Sequence, residues 1–98
     1  MNRFHRRFRN LFKDLSQREL SAEFKALAKL VAERHGLKED KRRPINCRDM
    51  HFALCQLKGS DFERRFSEND FELIFNHMDQ FSSGKVSLFE FVKGIQVQ

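Results

Sequence analysis

Ninety-eight residues with 40% hydrophobic and 34% charged side chains fit one small, soluble, mainly helical domain and exclude a disordered chain. One Pro and four Gly leave too few turn formers for an all-β fold, and no apolar run approaches the ~20 residues of a membrane span. The net charge of +5 sits at one end: residues 1–20 hold six Arg and Lys against two acids, and the remaining 78 hold thirteen against twelve.

The elements follow in chain order. In NRFHRRFRNLFKDL, Phe4, Phe8, Leu11, Phe12 and Leu15 fall on one stripe of an amphipathic helix, with Arg3, Arg6, Arg7 and Arg9 on the other faces. Ser16 and Glu19 form an S-x-x-E capping box, so a new helix begins there. It carries Phe24, Leu27, Ala28 and Val31 inward and has Gly36 as its stop. The segment LKEDKRRPINCRD is a loop holding the one proline, and Asn46 caps the next helix three residues before Asp49. That helix places Met50, Leu54 and Leu57 on one face and ends near Gly59, after which DFERRF reads as a linker. Ser67 and Asp70 cap a helix with Phe71, Ile74, Phe75 and Met78 inward, and Ser87 caps a last short one with Phe91 and Ile95 inward. The halves repeat weakly, since EFKALAKLV echoes DFELIFNHM about 45 residues later.

The stretch between the last two helices, DQFSSGKVSLFE, carries a family pattern. Asp79 stands first, Gly84 sixth, Val86 eighth and Glu90 twelfth, with Phe71, Phe75 and Met78 in the helix before. It resembles the EF-hand of calmodulin and its relatives. The resemblance covers residues 21–98 and implies an all-α lobe of two helix–loop–helix hands (21–58 and 67–98), joined by a short two-stranded pairing of their loops and preceded by a basic helical arm over 1–20. In such a hand Gly84 supplies the φ > 0 turn, Val86 the apolar strand residue and Glu90 two oxygens. Taking Ile45 as the partner of Val86 and Asp49 as the closing acid, the first loop runs eighteen residues from Ala32 rather than twelve. Expanded first loops of this kind, and the chain's size, are similar to those of S100 proteins.

The loops depart from the family in their chemistry. A hard cation takes about 6–8 oxygens, several of them charged. In the second loop the ligating positions are Asp79, Phe81, Ser83, Lys85 through its carbonyl, Ser87 and Glu90, so carboxylates stand at only two of them and a lysine beside them. Weak calcium binding is the most this loop offers, and no other cofactor is expected. Lys38, Lys41, Arg42 and Arg43 crowd the first loop with positive charge.

The expected function is therefore a non-enzymatic protein-interaction module with degenerate EF-hands. It would bind a partner helix, largely independently of calcium, through an apolar groove of Phe24, Leu27, Val31, Met50, Leu54, Phe71, Phe75, Met78, Phe91 and Ile95. The arm anchors Phe4, Phe8, Leu11 and Phe12 suit the same groove, in cis or in a partner chain of a homodimer; the arm could equally pack outside the lobe or stay exposed. Alternatives are a weakly calcium-responsive regulator using Asp79 and Glu90, and a basic binder of anionic membrane or nucleic acid through residues 3–13. The basic patch comprises Arg3, Arg6, Arg7 and Arg9 on the arm and Lys41, Arg42 and Arg43 in the first loop, the latter either a solvated rim or a docking patch for an acidic partner.

Cys47 and Cys55, about 12 Å apart if helical, are too distant for a disulfide and suit a reducing cytoplasmic compartment, although five basic and no acidic residues in the first thirteen also fit an organelle-import signal. Cys47, near a helix start and beside Arg48, is a candidate for a lowered thiol pKa. The four histidines show no ligand spacing and read as surface or half-buried residues.

Overall fold

The computed structural model describes residues 3–96, with side chains from His5 onward; Arg3 and Phe4 lie on the first helix, but their side chains fall outside the described residues. Six helices and two short strands follow in order: α1 Arg3–Asn10, α2 Gln17–His35, β1 Ile45–Asn46, α3 Cys47–Lys58, α4 Ser60–Arg65, α5 Glu68–Met78, β2 Lys85–Val86 and α6 Leu88–Gln96. The all-α expectation holds, with one small antiparallel sheet in which Ile45 pairs with Val86 and Asn46 with Lys85.

Local sequence sets the helix starts. The Ser16 hydroxyl accepts from the Glu19 N–H at 3.2 Å while the Glu19 carboxylate accepts from the Ser16 N–H at 3.0 Å. Asn46 caps α3 through the Asp49 N–H at 2.8 Å, and Ser67 caps α5 through the Asp70 N–H at 3.2 Å. Each such cap stabilises its helix by about 1 kcal/mol. At its other end α2 stops at Gly36, whose N–H reaches the carbonyls of Ala32 and Glu33.

Three local expectations are corrected. The arm helix does not run to Leu15: it ends at Asn10, and Leu11 and Phe12 are held in a tightened turn by N–H bonds to the carbonyls of Phe8 and Arg9. That turn rotates Leu11 outward, to 38% exposed, while Phe12 stays inside. The DFERRF segment is not a linker but contains α4, which buries Phe62 and, at its end, Phe66. Leu57 is exposed rather than inward, because α3 turns the Met50–Leu54 face to the core.

The core is a continuous aromatic seam. Phe8 is fully buried at its centre, with ring centroids 5.2 Å from Phe12, 6.2 Å from Phe66 and 5.7 Å from Phe71. Phe12 continues the seam to Phe91, which in turn meets Phe24 on α2. Near-perpendicular and tilted rings at these spacings add attraction beyond their buried area. Helix α5 approaches α6 so closely that a Cβ on Gly94 would lie 2.7 Å from Met78 Cγ. Thus α1 is an integral part of the packing, laid along α5.

Phe8→Ala would empty the middle of the seam and is expected to cost about 3–5 kcal/mol. Leu11→Ala, on the same helical stripe but turned outward, should cost less than about 1 kcal/mol. Urea unfolding of the two variants separates a helix that completes the core from one that merely rests on it.

Candidate functional site

The second loop, between α5 and α6, is closed by its own groups. Asp79 is buried, and its two carboxylate oxygens accept the Ser83 N–H at 3.0 Å and the Gly84 N–H at 2.9 Å. Gly84 lies at φ +85, which lets the chain fold its amides back onto that carboxylate. The Ser83 hydroxyl lies 2.9 Å from the Lys85 carbonyl and donates to it, so two prospective ligands bond to each other. Glu90 Oε1 accepts the Ser87 N–H at 3.0 Å while its own N–H reaches the Ser87 hydroxyl at 3.2 Å, a capping box that starts α6. Phe81 projects into solvent at 77% exposure.

The first loop is closed in an analogous way. Asp49, its closing acid, is buried, and His35 Nε2 at the end of α2 donates to its carboxylate at 2.9 and 3.0 Å. Between these residues Lys41 and Arg42 are exposed and Arg43 is half-exposed. The Arg42 N–H binds Asp40 Oδ1 at 3.0 Å, which shapes the turn without involving the guanidinium.

Most of these oxygens already accept hydrogen bonds from within the chain. Asp79 accepts backbone amides, Asp49 the His35 imidazole, and one oxygen of Glu90 the Ser87 amide; among these carboxylates Glu90 Oε2 is buried without a partner among the described residues. No group of three or more His, Cys, Asp or Glu that could hold a metal occurs among the described residues.

The ten residues expected to line a partner groove are all buried: Phe24, Leu27 and Val31 on α2, Met50 and Leu54 on α3, Phe71, Phe75 and Met78 on α5, Phe91 and Ile95 on α6. Phe8 and Phe12 lie against this set, so the seat of a helix among them is taken by α1. Arg9 fastens α1 from the other side, donating from Nε to the Ile95 carbonyl at 2.9 Å. Phe8 and Phe12, two of the side chains an interfacial helix would insert into a membrane, are in the core, while Leu11 is 38% exposed. The basic faces remain outside, with Arg6 and Arg7 exposed.

Spacing gave no sign of His5. It is 2% exposed, neither ring nitrogen has a partner among the described residues, and its ring centroid lies 4.1 Å from that of His77 on α5. Burial, and then the neighbouring His77 and Arg9, lower its pKa from 6.5 to about 4. The i, i+3 and i, i+7 relation of His5 to Phe8 and Phe12 placed it near the apolar stripe, which is the one signal that could have suggested burial.

The thiol expectation is reversed. Burial, then Glu72 and Glu68, push Cys47 up to about 11, and burial with Glu63 raises Cys55 as well, so neither is an activated nucleophile. The electrostatic effect of α5 acids facing Cys47 outweighs that of its sequence neighbour Arg48, which turns away to Glu68.

Comparison of the chain with protein-family profiles, with curated proteins and with solved structures gave no match. No described helix is long and apolar enough to cross a membrane.

Between pH 6.5 and about 4 the unfolded chain protonates His5 and the folded chain does not, so stability falls with acidification across that window and levels off below it. His5→Leu should flatten this part of the profile. Thermal midpoints measured from pH 7.5 to 4 should fall less in the variant than in the wild type; parallel profiles would remove His5 as the cause.

Proposed function

We propose that this chain is a non-enzymatic protein-interaction module of degenerate EF-hand type, whose paired loops hold their shape without calcium and whose groove is held by its own N-terminal helix. The observation that carries the reading is Asp79. The residue that begins the calcium-like loop has both carboxylate oxygens on the Ser83 and Gly84 amides, so the protein supplies internally the positive partners an ion would otherwise provide. The Ile45–Val86 pairing between the two helix–loop–helix halves and the His35–Asp49 closure of the long first loop support the same architecture.

A switch driven by calcium needs an ion that binds one conformation better than another, and these loops offer little for it to bind. The module then works in one state, with partners meeting its outer surface. Cys55 Sγ lies 3.8 and 3.9 Å from the His51 ring nitrogens, but His51 Nε2 is held by the Phe66 carbonyl at 2.7 Å. Burial also raises the thiol pKa, so this pair is not an activated nucleophile–base set and fits a binding role rather than catalysis. Two free thiols on one helix fit a reducing, intracellular setting.

One observation favours a second reading, a weakly calcium-responsive regulator: Glu90 Oε2 is buried without a partner and is the atom an ion would recruit first. Thermal unfolding in a chelator and in 1 mM calcium decides between them. A site with a dissociation constant near 10⁻⁵ M would stabilise the fold by roughly 2.7 kcal/mol at that concentration, raising the midpoint by about 10 °C or more in a domain of this size. The expected result is no shift beyond about 1 °C, and calorimetric titration should detect no site tighter than the order of 10⁻⁵ M. A large stabilisation abolished by Glu90→Gln would replace the metal-independent reading.

A further inference from the structure

The exposed aromatic on α6 sits in a setting different from the rest of the surface. Phe89 is 64% exposed, with Lys93 Nζ 5.4 Å from its ring centre. With Leu88 and Val92 it lines a cleft of about 450 Å³ between α6 and the start of α2. Two further clefts adjoin it. One shares Gln17 and Ser21 and carries Arg18 and Lys25. The other shares Gln96 and carries Arg6, Arg9 and Lys13.

No acidic residue lines any of these three clefts. The chain contains fourteen acids, and the three within residues 1–25 are placed elsewhere. Glu19 closes its capping box, Glu23 binds Lys58 at 3.1 Å, and Asp14 stands on the turn before α2. Arg6, Lys13, Arg18 and Lys25 form no ion pair with described residues. By contrast, the arginines of α4 both bind Asp61. An apolar cleft thus lies between two basic ones, in which Arg6, Lys13, Arg18 and Lys25 pair with no acid among the described residues.

We propose that this surface docks an acidic amphipathic segment of another protein, which inserts one large apolar side chain beside Phe89 and sets carboxylates against the flanking Arg and Lys residues. The proposal rests on the interaction-module reading above and adds the location and the chemistry of the partner. The apolar centre provides a desolvated anchor point and the basic rims provide attraction, orientation and association rate. Gln17, Ser21 and Gln96 stand between them as hydrogen-bonding groups for a peptide backbone. A second copy of this chain fits poorly, since it would bring the same cations to the interface. Single-stranded nucleic acid also carries negative charge, but it binds through successive stacked aromatics. Here Phe89 is the one exposed ring in the three clefts, and its neighbours Leu88 and Val92 offer no stacking face.

The test uses the full chain and fluorescence anisotropy with three labelled probes: an acidic helical peptide of about 20 residues bearing Leu and Phe anchors at i, i+4 spacing, the same peptide with its anchors replaced by Ser, and an oligo-dT of equal length. The anchored peptide should bind, weaken with added salt, and bind at least about tenfold more tightly than the Ser peptide. Phe89→Ala, and separately Arg18→Glu with Lys25→Glu, should each weaken it by about tenfold or more while leaving the thermal midpoint near that of the wild type. Binding unaffected by either set of substitutions, or equal binding of the Ser peptide, would overturn the surface and leave an interaction module that works elsewhere. Tighter binding of oligo-dT than of either peptide would overturn both readings, as would no detectable peptide binding. A dimer in sedimentation that Phe89→Ala abolishes would assign the face to a second copy and overturn the acidic partner. Peptide binding that requires calcium would uphold the surface and overturn the metal-independent reading instead.

Discussion

Burial of Phe8 is the interaction on which the rest of this molecule depends. Its ring touches residues contributed by α4 and α5 and leads through Phe12 to α6, so a helix at the beginning of the chain joins elements far apart in sequence. Without it, the face of α5 that carries Phe71 would lose the helix laid along it. A domain of this length buries only a modest fraction of its surface, and a side chain of that size at the centre is a large share of what holds it together. The use of phenylalanine within the seam also becomes intelligible here. Rings packed edge against face at centroid distances of 5–6 Å leave no place for a hydroxyl to find a partner, and a tyrosine at Phe8 or Phe71 would strand one.

The two loops solve one problem in parallel. Each must bring a turn of chain back upon a buried carboxylate, and an isolated buried charge is costly unless hydrogen-bonded. Asp79 is met by two amides and Asp49 by an imidazole, so the loops keep their geometry and lend it to the short sheet between them. On the metal-independent reading proposed above, satisfying these acids from within is what lets the loops keep their shape without an ion.

Much of this was legible from local sequence because it is locally determined. A cap at Ser16, Asn46, Ser67 or Ser87 involves residues three apart, and so does its hydrogen bond. The pairing of Ile45 with Val86 could also be anticipated, since one apolar residue in each loop must turn inward. What could not be read depends on residues distant along the chain. The end of α1 at Asn10 follows from how Phe12 must reach Phe91, and the burial of His5 from the position of α5. Cys47 took its character first from burial and then from Glu72 and Glu68 on another helix. The α4 helix was overlooked although its signs were local: Phe62 and Phe66 four apart, and Asp61 spaced to bind Arg64 and Arg65. Its two arginines bind Asp61 at the surface, while Phe62 and Phe66 are buried in the seam.

The connection between α1 and α2 is only residues 11–16, held by the turn around Leu11 and the cap at Ser16. A tether that short keeps the helix near its seat at an effective concentration in the millimolar range, even at moments when it lets go. A free helix of equal intrinsic affinity, present at micromolar levels, would lose that competition by a factor of roughly a thousand. The seam is therefore closed to ordinary competitors by proximity alone, and whatever meets this protein from solution meets its outer surface first.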